Sequence, residues 1–158
     1  MRILGIDPGT SITGFGIIDM SKAGKLKYLE AGVIRTKAKQ ALEKRLVIIY
    51  EEVSQLIREF KPTDVAVELL YFSANVTTAM SVSHARGIVL LAAAQADLPV
   101  VEYTPLQVKQ AMTGYGRADK KQIQEMVKKI LNLNQLPKPD DAADALAVAI
   151  CHSATLTA

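Results

Sequence analysis

The spacing of apolar residues changes near residue 40, and this change restricts the folds that the chain can adopt. Before it, three β-like runs at residues 2–7, 13–20 and 27–36 are separated by short polar turns. After it, apolar residues recur every three or four positions over residues 40–60, the spacing of an amphipathic helix. The pattern therefore predicts an antiparallel three-stranded meander followed by a helix.

The remaining residues predict strands that alternate with helices. Apolar runs at residues 64–70 and 100–103 are typical of buried strands, and helices are predicted over residues 75–98, 106–112, 119–131 and 140–155. Because 158 residues suffice for one ordinary domain, we expect residues 1–158 to form a single unit. The expected fold is α/β, a mixed five-stranded sheet with helices on both faces, which is also the layout of an RNase H-like domain.

Cysteine content and hydropathy indicate the compartment. Cys151 is the single cysteine, so no disulfide can form within the chain, which fits a reducing cytosol. The chain begins with a strand-like run and shows no signal peptide. Its most apolar stretch, residues 87–96, is about half the length that spans a bilayer. We expect a cytoplasmic protein that does not enter a membrane.

Four carboxylates lie at positions where an acidic side chain is unfavourable or unusual unless it has a structural or chemical role. Asp7 ends the first β-like run before a Pro-Gly turn, and Glu68 lies in an apolar run, where an unpaired carboxylate costs several kcal/mol. Asp141 and Asp144 are three residues apart at the start of a predicted helix, which brings them to one face. Simpler explanations are a turn capped by Asp7, a strand-end glutamate held by backbone groups, and helix capping by Asp141.

The four acids together favour a hard divalent cation. They come without a histidine or cysteine cluster, and Mg²⁺ and Mn²⁺ prefer oxygen ligands. Two such ions about 4 Å apart form the known arrangement for in-line displacement at phosphate. His84 and His152 each stand alone on a predicted helix and are expected to be structural.

Basic charge is concentrated in one part of the chain. The formal net charge is only +3, but residues 105–138 carry seven basic and two acidic side chains, or +5. Such a block fits a phosphodiester substrate, although most helical lysines are simply solvated. We interpret Lys128 and Lys129 as solvated surface.

These motifs resemble the RuvC-type Holliday junction resolvases, or crossover junction endodeoxyribonucleases. The similarity runs from residue 3 to about residue 152 and rests on LGIDPGTSITGFGII, VAVELLYF, SHARG, VKQAMTGYGRADKKQ and DDAADALAVAI. The resemblance implies an RNase H-like homodimer that nicks two opposed strands of a four-way DNA junction, using Mg²⁺ or Mn²⁺, with two ions per site. It also implies 5′-phosphate and 3′-hydroxyl products, a bacterial source, and the RuvA–RuvB branch-migration complex as a partner.

The resemblance assigns roles to particular residues. The family's catalytic, metal-binding acids match Asp7, Glu68, Asp141 and Asp144, whereas Asp140 falls outside the pattern and is predicted to cap the helix. The family's base-stacking aromatic matches Tyr71, with Phe72 as the alternative. Its DNA-contacting basic residues match Lys109 and Lys120, and Arg117 in the same block is predicted to join them.

Two other functions stay open on the residues alone. An actin- or hexokinase-like phosphotransferase also carries a D-x-G-T turn after its first strand, but it needs a second domain and a second such turn. A non-catalytic module that binds DNA structures would need no complete set of acids. The long apolar helix predicted over residues 75–98 has two readings as well, a core helix or, in part, a two-fold interface.

Overall fold

A mixed five-stranded sheet forms the centre of the molecule, as expected. The computed structural model describes residues 1–69 and 76–156. The strands are β1 (Arg2–Asp7), β2 (Ile12–Met20), β3 (Leu26–Arg35), β4 (Asp64–Glu68) and β5 (Val100–Tyr103). Their order in the sheet is β3-β2-β1-β4-β5. The first three form the predicted antiparallel meander, and β4 and β5 add in parallel to β1.

Helices cover both faces of the sheet. They are α1 (Leu42–Phe60), α2 (Val76–Gln95), α3 (Pro105–Thr113), α4 (Lys120–Ile130) and α5 (Asp140–Thr155). One core lies between the sheet and helices α1 and α2, and a second lies between the sheet and helices α3 to α5. In the part of the chain that the structure describes, no helix has the length and apolarity needed to cross a membrane.

The predicted bounds agree with the structure to within three residues. The largest difference is at the end of α2, which stops three residues before the predicted end. Asp97 there adopts a positive φ of 54°, so the chain turns before Pro99 is reached. Glu68 is the last residue of β4 and lies at the strand end, not in the middle of a longer strand.

Helix α5 lies directly against the sheet because glycines face it. A Cβ atom at Gly14 would lie only 2.0 Å from the carbonyl oxygen of Asp141, and one at Gly5 only 2.2 Å from that of Ala145. Alanines on the helix are fully buried in this contact, among them Ala142 and Ala145. Small residues on both sides thus let two backbones approach closely, and this sets the position of the two α5 acids.

The three helices on this face begin differently. Helices α3 and α4 each start with a reciprocal capping box, in which Thr104 pairs with Gln107 and Asp119 with Gln122. The residue before α5 is Pro139, which makes no side-chain cap. The prediction that Asp140 caps α5 is therefore wrong. Asp140 is instead the first helical residue, where a negative charge favours the helix dipole.

Candidate active site

Four acidic side chains meet at one end of the sheet. Asp7 ends β1 and Glu68 ends β4, and these strands are parallel neighbours, so both carboxyls lie at the same edge. Asp141 and Asp144 enter from the first turns of α5, which packs against β1 and β2. The structure thus brings together the four acids that the sequence predicted.

The pKa of Asp7 shows how closely the acids interact. Burial, followed by the charge of Glu68 and a hydrogen bond with it, raises the pKa of Asp7 to about 8. The charges of Asp144 and Asp141 add to this rise. Asp7 therefore holds a proton near neutral pH unless a cation compensates the neighbouring charge.

The other acids respond to the same surroundings. Burial raises the pKa of Glu68, and the charge of Asp144 raises it further, whereas the hydrogen bond from Asp7 lowers it. Burial is also the main cause of the raised pKa of Asp144, which the charge of Lys120 opposes. The site holds more negative charge than its own cations neutralise, and this is the electrostatic condition that favours a divalent cation.

Two lysines border the acids. Lys120 Nζ lies 3.2 Å from Asp144 Oδ2 and 3.4 Å from Asp140 Oδ2. Burial lowers the pKa of Lys120, but Asp144 and Asp140 outweigh this and raise it overall. The charge of Lys109 on α3 lowers the pKa of Glu68, as does that of Lys120. A cavity of about 200 Å³ is lined by Glu68, Asp144, Lys109 and Lys120, with Pro105, Val108, Ile123 and Ala147.

The acids are near one another without forming a coordination shell. Within residues 1–69 and 76–156, no three His, Cys, Asp or Glu side chains are grouped so that they could hold a metal ion as they stand. The donor set consists of oxygens only, which suits Mg²⁺ or Mn²⁺. In place of such an ion, two features reduce the repulsion between the acids. A proton is shared in the contact between Asp7 and Glu68, and Lys120 lies beside Asp144.

The remaining predicted residues have different outcomes. Arg117 is exposed in the loop between α3 and α4, within the basic block. Tyr71 and Phe72 lie outside the described residues. His84 is exposed on α2. His152 is buried, with Nδ1 2.8 Å from the Tyr103 hydroxyl, so it belongs to the core.

Sequence reasoning missed a polar network behind the loop that follows Asp7. Arg45 of α1 donates hydrogen bonds of 2.8 Å to the hydroxyls of Thr36 and Ser11, and Thr36 donates to the carbonyl of Thr10. Thr10 is buried and also contacts Ser81 of α2. A local charge count would have drawn attention to this region, since residues 35–45 carry five basic side chains and one acidic one.

Comparisons with known proteins agree with the resemblance seen in the sequence. The sequence model of the family "Crossover junction endodeoxyribonuclease RuvC" matches residues 3–152. The RuvC of Desulfitobacterium hafniense is 58% identical over 153 residues, which cover 97% of this chain and 92% of that relative. RuvC of Thermus thermophilus in complex with Holliday junction substrate matches with a TM-score of 0.92 and 38% identity, covering 97% of this chain and 93% of that one.

A more distant structure shares the fold alone. The yeast mitochondrial Holliday junction resolvase Ydc2 matches with a TM-score of 0.67 and 13% identity, covering 98% of this chain and 81% of that one. With the sheet order and the helices on both faces, these matches confirm the expected RNase H-like fold.

Proposed function

Since this chain belongs to the family of RuvC crossover junction endodeoxyribonucleases, we propose that it resolves four-way DNA junctions by nicking two opposed strands. The reaction is phosphodiester hydrolysis that leaves 5′-phosphate and 3′-hydroxyl ends. The observation that carries the proposal is the meeting of Asp7, Glu68, Asp141 and Asp144 at one sheet end, beside Lys109 and Lys120.

The four acids are proposed to hold Mg²⁺ or Mn²⁺, two ions per site. When bound, these ions supply Lewis-acid stabilisation of the phosphate and lower the pKa of the attacking water. The oxygen-only donor set and the raised pKa of Asp7 support this role, because a cation would relieve the crowding of negative charge. Binding would require Asp7 to lose its proton and Asp144 to exchange its contact with Lys120.

The chain's own residues supply binding and orientation. Lys109 and Lys120 border the acids and are proposed to bind DNA phosphates next to the cleaved bond, with Arg117 extending the contact from the α3–α4 loop. Tyr71 or Phe72 is proposed to stack on a junction base, on the basis of the resemblance alone.

We further propose that the active form is a homodimer joined through α2. Exposed residues along this helix are spaced so that they share one face: Met80, Ser83, His84, Gly87, Leu91 and Ala94. Met80 is 59% exposed and Leu91 48%, which is unusual for large apolar side chains on one stripe. Two opposed nicks need two active sites, and a two-fold interface supplies them.

Cellular context is proposed from family membership. The relatives are bacterial proteins, and we propose that this chain acts in the bacterial cytoplasm together with the RuvA–RuvB complex. The structure does not favour the phosphotransferase alternative, which needs a second D-x-G-T turn. Asp141 and Asp144 lie instead within a helix, among buried alanines.

Cleavage of a synthetic four-way junction by Asp7→Asn tests the proposed chemistry. Removing one carboxylate should lower the cleavage rate by about 10²–10³-fold, the loss typical of one preorganised electrostatic group. Junction affinity in EDTA should stay within about twofold, because binding rests on lysine–phosphate contacts. Glu52→Gln on the exposed surface of α1 is the matched control and should cleave normally.

Two results would contradict the proposal. One is Asp7→Asn protein that cleaves at the unsubstituted rate. The other is unsubstituted protein that nicks a linear duplex of the same sequence as fast as the junction. A protein that binds junctions with no cleavage in Mg²⁺ or Mn²⁺ would support the DNA-binding module instead.

A further inference from the structure

A second basic surface lies outside the block that the sequence analysis identified. We call it the β3–α1 patch, and its side chains are Arg35, Lys37, Lys39, Lys44 and Arg45. Five basic residues against Glu43 make residues 35–45 +4, a denser charge than the +5 spread over residues 105–138. In the described parts of the chain, none of the ion pairs includes a side chain of the patch.

The strand register places the patch at the same end of the sheet as the acids. Asp7 pairs with Gly14 across β1 and β2, and Ile12 pairs with Arg35 across β2 and β3. Arg35 is therefore two strands to the side of Asp7 and two residues further along, about 10 Å by about 7 Å. Arg35 and the acids therefore lie at the same end of the sheet.

The patch and the Lys109–Lys120 pair lie on opposite flanks of the acids. Strands β1 and β4 hold Asp7 and Glu68 in the middle of the sheet, and β3 and β5 are its two edges. The patch follows β3, whereas Lys109 lies on the helix that follows β5. Four inter-strand spacings, about 19 Å, separate the edges, which corresponds to about six nucleotides at 3.4 Å each.

Part of the patch is held in place by the loop that follows Asp7. The Arg45 guanidinium donates to the hydroxyls of Ser11 and Thr36, each at 2.8 Å, and Thr36 is tied to Thr10. Beside this network is a depression of about 490 Å³, lined by Arg35, Thr36, Lys37, Lys39, Gln40 and Ile48. Lys37 and Lys39 are exposed at its rim. A preorganised guanidinium next to free ammonium groups suits phosphate oxygens.

We propose that the β3–α1 patch binds the phosphate backbone of a junction arm, about three to four nucleotides from the cleaved phosphate. The proposal rests on the proposed function, since it assigns the patch to the same DNA. Its contacts are to phosphates, so it adds affinity and orientation without base preference. The arm that crosses the acids would then be held on both flanks.

A triple substitution tests the patch. Arg35→Ala/Lys37→Ala/Lys39→Ala should weaken junction binding at least about tenfold at 100 mM KCl in EDTA, measured by fluorescence anisotropy. The slope of log Kd against log[KCl] should fall by about 2–3, or about 0.9 for each lost phosphate contact.

The matched control removes the same charge from the other end of the sheet. Lys22, Lys25 and Lys27 are exposed around the β2–β3 turn, and replacing all three by Ala should leave the salt slope unchanged. An equal slope change in both triple variants would mean that only net charge matters and would overturn the proposal. A patch variant that binds like the unsubstituted protein would also overturn it.

A change on the DNA side separates the patch from other contacts. A junction with neutral methylphosphonates about three to four nucleotides from the cleavage site should bind the unsubstituted protein more weakly. The patch variant should bind this modified junction almost as well as it binds the unmodified one, because the substitutions have already removed the contact with these phosphates. Additive losses would overturn the proposal. Absence of junction cleavage by the unsubstituted protein would instead overturn the proposed function itself.

Discussion

Asp7 makes the metal-free protein sensitive to pH. Its pKa is about 8 in the folded state, raised first by burial and then by Glu68, against about 3.9 in an unfolded chain. The folded state therefore keeps a proton that the unfolded chain releases. This contribution to stability is full below about pH 4 and is lost as pH rises to about 8.

Asp7→Asn should remove this pH dependence, since the amide keeps the neutral form at every pH. In EDTA at pH 8, the variant should melt about 3–6 °C higher than the unsubstituted protein, and the difference should shrink toward pH 4. Glu52→Gln, which changes an exposed carboxylate on α1, should melt like the unsubstituted protein at both values. A lower melting temperature for Asp7→Asn at pH 8 would contradict the cause assigned to the raised pKa.

At the scale of elements, α5 is positioned by the glycines beneath it. Gly14→Ala would place a methyl group 2.0 Å from the carbonyl oxygen of Asp141, so the helix start must move away from β2. We expect a loss of about 1–3 kcal/mol of unfolding free energy. Junction cleavage should fall far more than junction binding, because the acids of α5 move relative to Asp7.

Gly32→Ala is the matched control for this prediction. Gly32 lies on β3, and the atoms nearest to its added methyl would belong to the ring of Phe15, the closest at 2.9 Å. A side chain can turn aside where a helix backbone cannot, so the losses of stability and cleavage should both be smaller. Equal effects of the two substitutions would mean that the approach of α5 to β2 does not control the site.

Helix α5 shows which features of the site the sequence could predict and which it could not. Its bounds and the shared face of Asp141 and Asp144 follow from local spacing, which the sequence displays. Its contact with β1 and β2 depends on Gly5 and Gly14, whose importance appears only when a distant helix lies on them. The parallel pairing of β1 with β4, which joins Asp7 to Glu68, is likewise a long-range feature that local patterns do not contain.

At the scale of the whole molecule, charge is arranged across one end of the sheet. Negative charge is concentrated at β1, β4 and the start of α5, and basic groups follow both edge strands. The net charge of +3 conceals this arrangement, because the two signs nearly cancel in the sum. A polyanion is drawn to both flanks while the centre keeps the charge that a divalent cation needs.

A substitution on the exposed face of α2 tests whether two copies of the chain, each with its own active site, act together as a dimer. Leu91→Glu puts a charge on the stripe at a position that is 48% exposed, where a dimer would bury it without a partner. By sedimentation, the unsubstituted protein should have the mass of two 17.1 kDa chains, and the variant that of one. On a supercoiled plasmid with an extruded cruciform, the dimer should make two opposed nicks and so a linear product, whereas the monomeric variant should make one nick and so a nicked circle.

Val47→Glu, at an equally exposed apolar position on α1, is the control and should remain dimeric and keep the linear product. A monomeric unsubstituted protein that still makes paired nicks would contradict the α2 dimer.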